Sequence, residues 1–302
     1  MSSGSSTSLA QALKERVLVL NSSAFNPAWK RLDPSAWGGI RFEGSPNLNI
    51  TRRELVLQWQ MELVKAGSDV LETYSHGADL VTAQEFGADR DLCQKWNVAS
   101  VSVVREAACG QRLVIGAVGQ STDLLGFHGR YSREDHVTAY AAQIRDLWTA
   151  GIDAVHLAFF ADSKNLRAAL DATHLIEEEL GCPVPVMITL DTSPGVTMLS
   201  GERPEELWPL LRDYSPIAIG FATYGFGHEM LRRLREVTDT PIGLLLDPCP
   251  WAPPSMTENR PIGWLAECLM PLLDEDLLSF CGLSCTVPSI EYVRAVAALV
   301  RR

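Results

Sequence analysis

Three carboxylates, one histidine and two cysteines stand where they could do chemistry: Glu72, Asp191, Asp247, His76, Cys249 and Cys285. As an acid/base set, the three carboxylates with His76 and Tyr224 could share one pocket, where burial and like-charge crowding raise a carboxyl into a useful range. As a metal set, Cys285, Cys249, His76 and Asp247 offer sulfur, nitrogen and oxygen ligands. Each has a plainer alternative. A free thiol in the Pro-flanked turn Asp247-Pro248-Cys249-Pro250 is often a small buried hydrophobe. A single carboxylate commonly bonds loop amides. His156 lies inside an apolar run, in phase with Ala158 and Phe160, and reads as a satisfied core histidine. His128, in Gly126-Phe127-His128-Gly129, reads as a surface residue on a loop, and His136 and His174 as helix-surface or packing residues. Trp29, Trp37 and Phe42 could wall a pocket or staple their loop to the core. Cys93, Cys109, Cys182 and Cys268 carry no motif.

These residues sit at the ends of short apolar runs. Strands are expected at 17–20, 68–73, 113–118, 154–159, 184–190, 217–221, 242–246 and around 279–285. Amphipathic segments at 52–65, 133–150, 163–180, 204–213, 228–237, 259–273 and from 288 onward read as helices. Thr51 reads as the N-cap of the first of these, with Glu54 completing a capping box. Near-continuous apolar strands between helices imply a parallel sheet covered on both faces. Eight such repeats fit a closed (β/α)8 barrel of roughly 250 residues or more. No Gly-x-Gly-x-x-Gly turn follows the first strand, which disfavours an open doubly wound sheet. In such a barrel the site lies at the C-terminal strand ends. That rule selects Asn21 and Ser22, Glu72, Thr73, Tyr74 and His76, Gly119, Gln120 and Asp123, Phe160 and Asp162, Asp191, Thr223 and Tyr224, Asp247 and Cys249, and Ser284 and Cys285.

Bulk properties narrow the partners. The chain has 302 residues, 46% of them hydrophobic, and a net charge of −11. A basic surface for nucleic acid or anionic membrane is absent, since no basic run exceeds Arg52-Arg53 or Arg232-Arg233. No apolar stretch approaches the roughly 20 residues of a membrane span. Residues 1–12 read as a disordered, polar N-terminal tail, and 13–302 as one barrel domain. Seven scattered cysteines fit reduced thiols in the cytoplasm.

The unit from Leu48 to Thr73, with Asn49-Ile50-Thr51-Arg52-Arg53-Glu54 and Ala66-Gly67-Ser68-Asp69, resembles the homocysteine S-methyltransferase family. The likeness continues through Gly116-Ala117-Val118-Gly119-Gln120, Ala150-Gly151-Ile152-Asp153 and Pro185 to Gly201, in the family's order. The resemblance implies a single-domain barrel and methyl transfer to a small-molecule thiol held on zinc by three cysteines. Several functional positions depart from that pattern. An Asp-Gly pair is replaced by Asn21-Ser22, and a substrate-binding Glu by Ala158. The first zinc Cys, in Gly-x-Asn-Cys, is replaced by Thr223, and the later Cys pair reads Ser284-Cys285. Neutral hydroxyls are poor zinc ligands, and one thiolate does not complete a tetrahedron.

The expectation is therefore a methyltransferase of this family with a non-standard acceptor or donor and a degenerate zinc site. Glu72, Asp247 and Asp191 are its candidate catalytic residues. Asn21, Tyr74, His76, Gln120, Thr223, Tyr224 and Ser284 are its candidate substrate contacts. A metal, if held, would rest on Cys285 and Cys249. The resemblance also admits a corrinoid protein as methyl-delivering partner. The rivals are a non-catalytic barrel that binds a small molecule or a partner protein, and a metal site rebuilt on Cys249 and Cys285.

Overall fold

Eight parallel strands close on themselves in chain order, each paired with the next and the last with the first. They are β1 (Leu18–Asn21), β2 (Val70–Glu72), β3 (Leu113–Gly119), β4 (Ala154–Phe160), β5 (Val186–Asp191), β6 (Ala218–Thr223), β7 (Ile242–Leu246) and β8 (Phe280–Leu283). The computed structural model describes residues 8–21, 26, 29, 31–40, 45–127, 129–192, 195–225, 227–248, 260–284 and 289–302. Between and around the strands run α1 (Leu9–Glu15), α2 (Leu48–Thr51), α3 (Arg53–Ala66), α4 (Leu80–Glu85), α5 (Arg90–Ala108) and α6 (Arg133–Ala150). They are followed by α7 (Ser163–Leu180), α8 (Trp208–Leu211), α9 (Gly227–Val237), α10 (Gly263–Asp274) and α11 (Ile290–Val300). The expected (β/α)8 barrel is the fold. No helix among the described residues is long and apolar enough to cross a membrane.

Period-two alternation sorts the strand residues into two rows. Leu18, Leu20, Val70, Ile115, Ala154, Met187, Ala218, Leu245 and Phe280 form one buried cluster inside the barrel. The other row, including Val19, Leu71, Val155, Ile219, Phe221 and Leu244, packs outward beneath the helices. Phe280 fills the interior beside Gly243, where any Cβ would lie 2.5 Å from its ring. Burying that ring contributes on the order of 2 kcal/mol, so the glycine serves packing.

Three local expectations are corrected. The tail expected over residues 1–12 gives way at Leu9 to α1, capped by Ser8. Leu9, Ala12 and Leu13 close the barrel floor, an apolar surface that a sequence window cannot display. Residues 1–7 lie outside the described residues. Two helices, α4 and α5, stand between β2 and β3, where the sequence pattern predicts none. The valines of α5 lower its helix propensity, but its buried face recurs at Cys93, Trp96, Asn97, Ser100, Val101 and Val104. Thr51 ends α2 and does not cap α3, because its hydroxyl donates to the Ala36 carbonyl at 2.6 Å.

Candidate active site

The segment after β2 is held at every step. The Glu72 carbonyl accepts from Gln60 Nε2 at 3.1 Å, and the Thr73 amide donates to the Ile115 carbonyl at 3.0 Å. Asn49 Nδ2 donates to the Tyr74 carbonyl at 2.7 Å, and Gln143 Nε2 to the Ser75 carbonyl at 2.8 Å. Ser75 Oγ donates to the Ala117 carbonyl at 2.7 Å, tying the segment to β3. Such a chain of satisfied bonds fixes the next residue, His76.

His76 turns back over the barrel, with Nε2 3.1 Å from Glu72 Oε1. Its ring stacks on Phe159 at a centroid distance of 5.7 Å and an interplanar angle of 20°. Phe159 sits at φ +62°, where β4 bulges between Ala158 and Phe160. A bulge re-aims a side chain, and this one offers a ring to His76 at a backbone cost of roughly 1–2 kcal/mol. Room on the other side comes from Gly119, where a Cβ would lie 2.6 Å from His76 Nδ1.

Glu72 is fully buried on the inner row of β2. Its other oxygen, Oε2, lies 2.8 Å from His156 Nδ1, and His156 Nε2 lies 2.7 Å from Thr189 Oγ1. Burial would raise the Glu72 carboxyl, but the charge and hydrogen bond of His156 and the contact with His76 outweigh it and bring it down to about 2. The carboxylate is therefore ionised near neutral pH. His156 is satisfied, as expected of a core histidine, yet it also belongs to the site. Its position on the inner row was readable from its phase with Ala158; its partner, on β2, was not.

The remaining sequence-selected residues divide. Asp191 ends β5 on the inner row, half-buried, and Asp247 follows β7 on its inner row at 8% exposure. Ser284 follows β8, buried, and its amide donates to the Leu246 carbonyl at 2.9 Å. The Asp247 amide donates to the Thr223 carbonyl at 3.1 Å, so these three strand ends adjoin. Thr223 itself alternates with Ala222 and shares the outer row with Phe221; the inward position is Ala222. Tyr224 is half-buried just beyond it.

Asn21 also falls on the outer row, where Nδ2 donates to Ser68 Oγ at 2.7 Å. Tyr74 packs on Trp29, ring to ring at 5.6 Å, within the outer core. Trp29 and Trp37 thus anchor their loop. Gln120 Oε1 accepts from the Ala161 and Asp162 amides at 2.9 and 2.8 Å, stitching the ends of β3 and β4. His136 is a packing residue, fully buried between the Ser132 and Asp123 carbonyls, and His174 lies 4.6 Å from the ring of Tyr214. Cys249, Cys285, Phe42 and His128 lie outside the described residues.

A family model described as homocysteine S-methyltransferase matches residues 4–279. Among solved structures, the homocysteine methyltransferase MmuM from Escherichia coli in its metallated form is similar. It shares 17% identity and a TM-score of 0.68 over 83% of this chain and 86% of that one. Its apo form gives 18%, 0.64, 84% and 89% in the same order. The carboxyl transferase domain of Rhizobium etli pyruvate carboxylase shares 14% identity and a TM-score of 0.50 over 96% of this chain and 47% of that one. At such identities the structures speak for the barrel alone. The family match, by contrast, runs from ahead of β1 to the residue before β8, and by it the chain belongs to the homocysteine S-methyltransferase family.

Proposed function

We propose that this chain is a methyltransferase that activates a small thiol or related nucleophile through His76 and Glu72, without a three-cysteine zinc centre. The observation that carries the reading is the grip of two imidazoles on one buried carboxylate, His76 at 3.1 Å and His156 at 2.8 Å. One proton assignment satisfies these two contacts and that of His156 with Thr189. Ionised Glu72 accepts from Nε2–H of His76 and from Nδ1–H of His156, while Thr189 donates its hydroxyl proton to Nε2 of His156. That leaves the Nδ1 lone pair of His76 beside Gly119, on a side chain 31% exposed.

The acceptor thiol passes its proton to His76 Nδ1. Its sulfur then bonds to the donor's methyl carbon as the bond from that carbon to the donor's onium centre breaks. The donor leaves as a neutral thioether or amine. A free thiol titrates near ~8.5, so a base that holds its proton is worth about 100- to 10,000-fold in rate. In this reading Asp191 and Asp247, on the inner rows, would meet the acceptor's own cationic group. Donors of the sulfonium or betaine type fit this balance; a methyl-corrinoid delivered by a partner protein is a further source. The setting proposed with this reading is the cytoplasm.

The donor chemistry supports the metal-free form. Where the family pattern calls for thiolates, Thr223 and Ser284 present neutral hydroxyls, and Thr223 lies on the outer row. Among the described residues, which do not include Cys249 and Cys285, no group of three or more His, Cys, Asp or Glu could hold a metal ion. These residues do not fit a thiolate-bound zinc. A second reading, a non-catalytic barrel, draws support from the inward methyl groups of Ala158 and Ala222, which offer a substrate nothing polar.

Chelator-treated protein should be assayed with homocysteine and other small thiols against S-methylmethionine, S-adenosylmethionine and a betaine. Chelator-resistant transfer that falls about 100-fold or more in His76→Gln is expected. Transfer that needs added zinc and disappears in Cys285→Ser would assign the chemistry to a rebuilt metal site. Thiol binding without turnover would favour the non-catalytic barrel.

A further inference from the structure

At the barrel's N-terminal end, α1 borders a cleft of about 570 Å3 whose rim carries Arg16, Arg105 and Arg112 with Asp69 and Asp153. Both aspartates are fully engaged. Asp69 pairs with Arg16 at 3.1 Å and Arg301 at 3.3 Å and accepts from the Val19 amide at 2.9 Å. Asp153 takes Arg105 in a two-pronged bond of 2.8 and 3.1 Å and accepts from the Val114 amide at 2.7 Å.

Arg112, the residue before β3, has no such carboxylate among the described residues. Its Nη1 donates to the carbonyl of its neighbour Gln111 at 3.1 Å, and its Nε is buried with no acceptor among them. A guanidinium cannot shed its proton to escape that position, and a buried donor left unpaired is unfavourable. In a chain of net charge −11, an arginine that lines an open cleft with no carboxylate partner among the described residues calls for an acceptor from outside.

We propose that this cleft binds a small oxyanion, a carboxylate or a phosphate, through the fork of Arg112. The fork matches two oxygens of either group, and the volume lies within the range of about 300–1,000 Å3 typical of small-ligand sites. The site is separate from the methyl-transfer mouth. The length of β3, seven residues or about 23 Å at the usual strand rise, lies between Arg112 and the glycine under His76.

The test is calorimetric titration of the full chain with inorganic phosphate and, separately, with malonate. Saturable one-to-one binding of either probe is expected, weakened about tenfold or more in Arg112→Gln, since a charge-assisted pair is worth about 1.5–3 kcal/mol. Arg212→Gln, at an exposed arginine elsewhere, should bind as wild type does. Preference for one probe names the ligand as phosphate-like or carboxylate-like. Absence of saturable binding to folded wild-type protein overturns the proposal, whatever the variant's folding. So does equal binding by wild type and by Arg112→Gln with an unchanged melting profile.

Discussion

His156 Nδ1 lies 2.8 Å from Glu72 Oε2, across 84 residues of chain, inside the barrel between β4 and β2. That bond sets the state of the whole group, because Glu72 meets His76 through its other oxygen. An ionised carboxylate with two donors is rigid, and a rigid carboxylate fixes the tautomer of the imidazole it touches. Replacing Glu72 by Gln keeps its shape but offers one oxygen and one NH2 to two rings that both donate in the proposed proton assignment. Glu72→Gln should lower kcat/KM for methyl transfer by about 100-fold or more while the far-UV circular dichroism stays native. Wild-type rates in that variant would remove Glu72 from the mechanism.

Gly119 supplies a sharper probe of the same base. A methyl group there would sit 2.6 Å from His76 Nδ1, closer than a real Cβ contact allows. The strand at Gly119 is ordinary extended backbone, so alanine itself causes no φ strain. Gly119→Ala should therefore push the imidazole away and cut kcat/KM about as deeply as His76→Gln. Its cost in stability should stay near the 1–3 kcal/mol of a local overpacking. Activity left intact would mean that Nδ1 of His76 is not the base.

Acid should expose the carboxylate's contribution to stability. The Glu72 carboxyl is lowered from 4.5 to about 2 on folding. A depressed carboxyl stabilises the fold above its unfolded value, and that contribution fades as pH falls from 4.5 through about 2. The difference in unfolding free energy between wild type and Glu72→Gln should therefore shrink across this window and stay constant above it. Urea titrations at stepped pH would measure it. A difference that grows on acidification would contradict the assigned direction.

Thiol reactivity distinguishes the buried cysteine of β8 from the exposed ones. Burial pushes the Cys281 thiol up to about 12, and Asp69 adds to the rise. Cys109 and Cys182 are exposed. A maleimide probe followed by peptide mass mapping should label Cys109 and Cys182 in the native protein and reach Cys281 only on unfolding, because the thiolate is the reactive form. Rapid native labelling of Cys281 would contradict its packing beneath α11.

Much of the barrel was legible because parallel strands covered on both faces read as unbroken apolar runs, as 113–119 and 242–246 do. What escaped depended on surfaces formed only when the sheet closes. Leu9, Ala12 and Leu13 make sense as a helix only against the barrel floor. The rule of C-terminal strand ends found Glu72 and His76, but it ignores which row a residue occupies. Simple alternation from Leu18 and Leu20 would have set Asn21 outward, and alternation from Ala218 and Gly220 would have set Thr223 beside Phe221. His156 had the right phase in its strand. Its bond to Glu72 needed two strands that are not neighbours in the sheet to face each other across the interior.

Phe159 tests whether backbone strain is retained for the site. At φ +62° a phenylalanine costs roughly 1–2 kcal/mol relative to a residue without a Cβ. Its ring is only partly buried, and it meets the rings of His76 at 5.7 Å and His156 at 6.3 Å. Phe159→Gly relieves the strain and loses the stacking and part of the burial, two changes of opposite sign and similar size. Unfolding in urea should therefore shift by less than about 1 kcal/mol, far below the 3–5 kcal/mol usual for truncating a core phenylalanine. Activity should behave otherwise. With nothing against its face, His76 gains freedom about its side-chain torsions, and kcat should fall while the affinity for the thiol changes little. A loss of several kcal/mol in stability would show instead that Phe159 is an ordinary core residue whose strain is incidental.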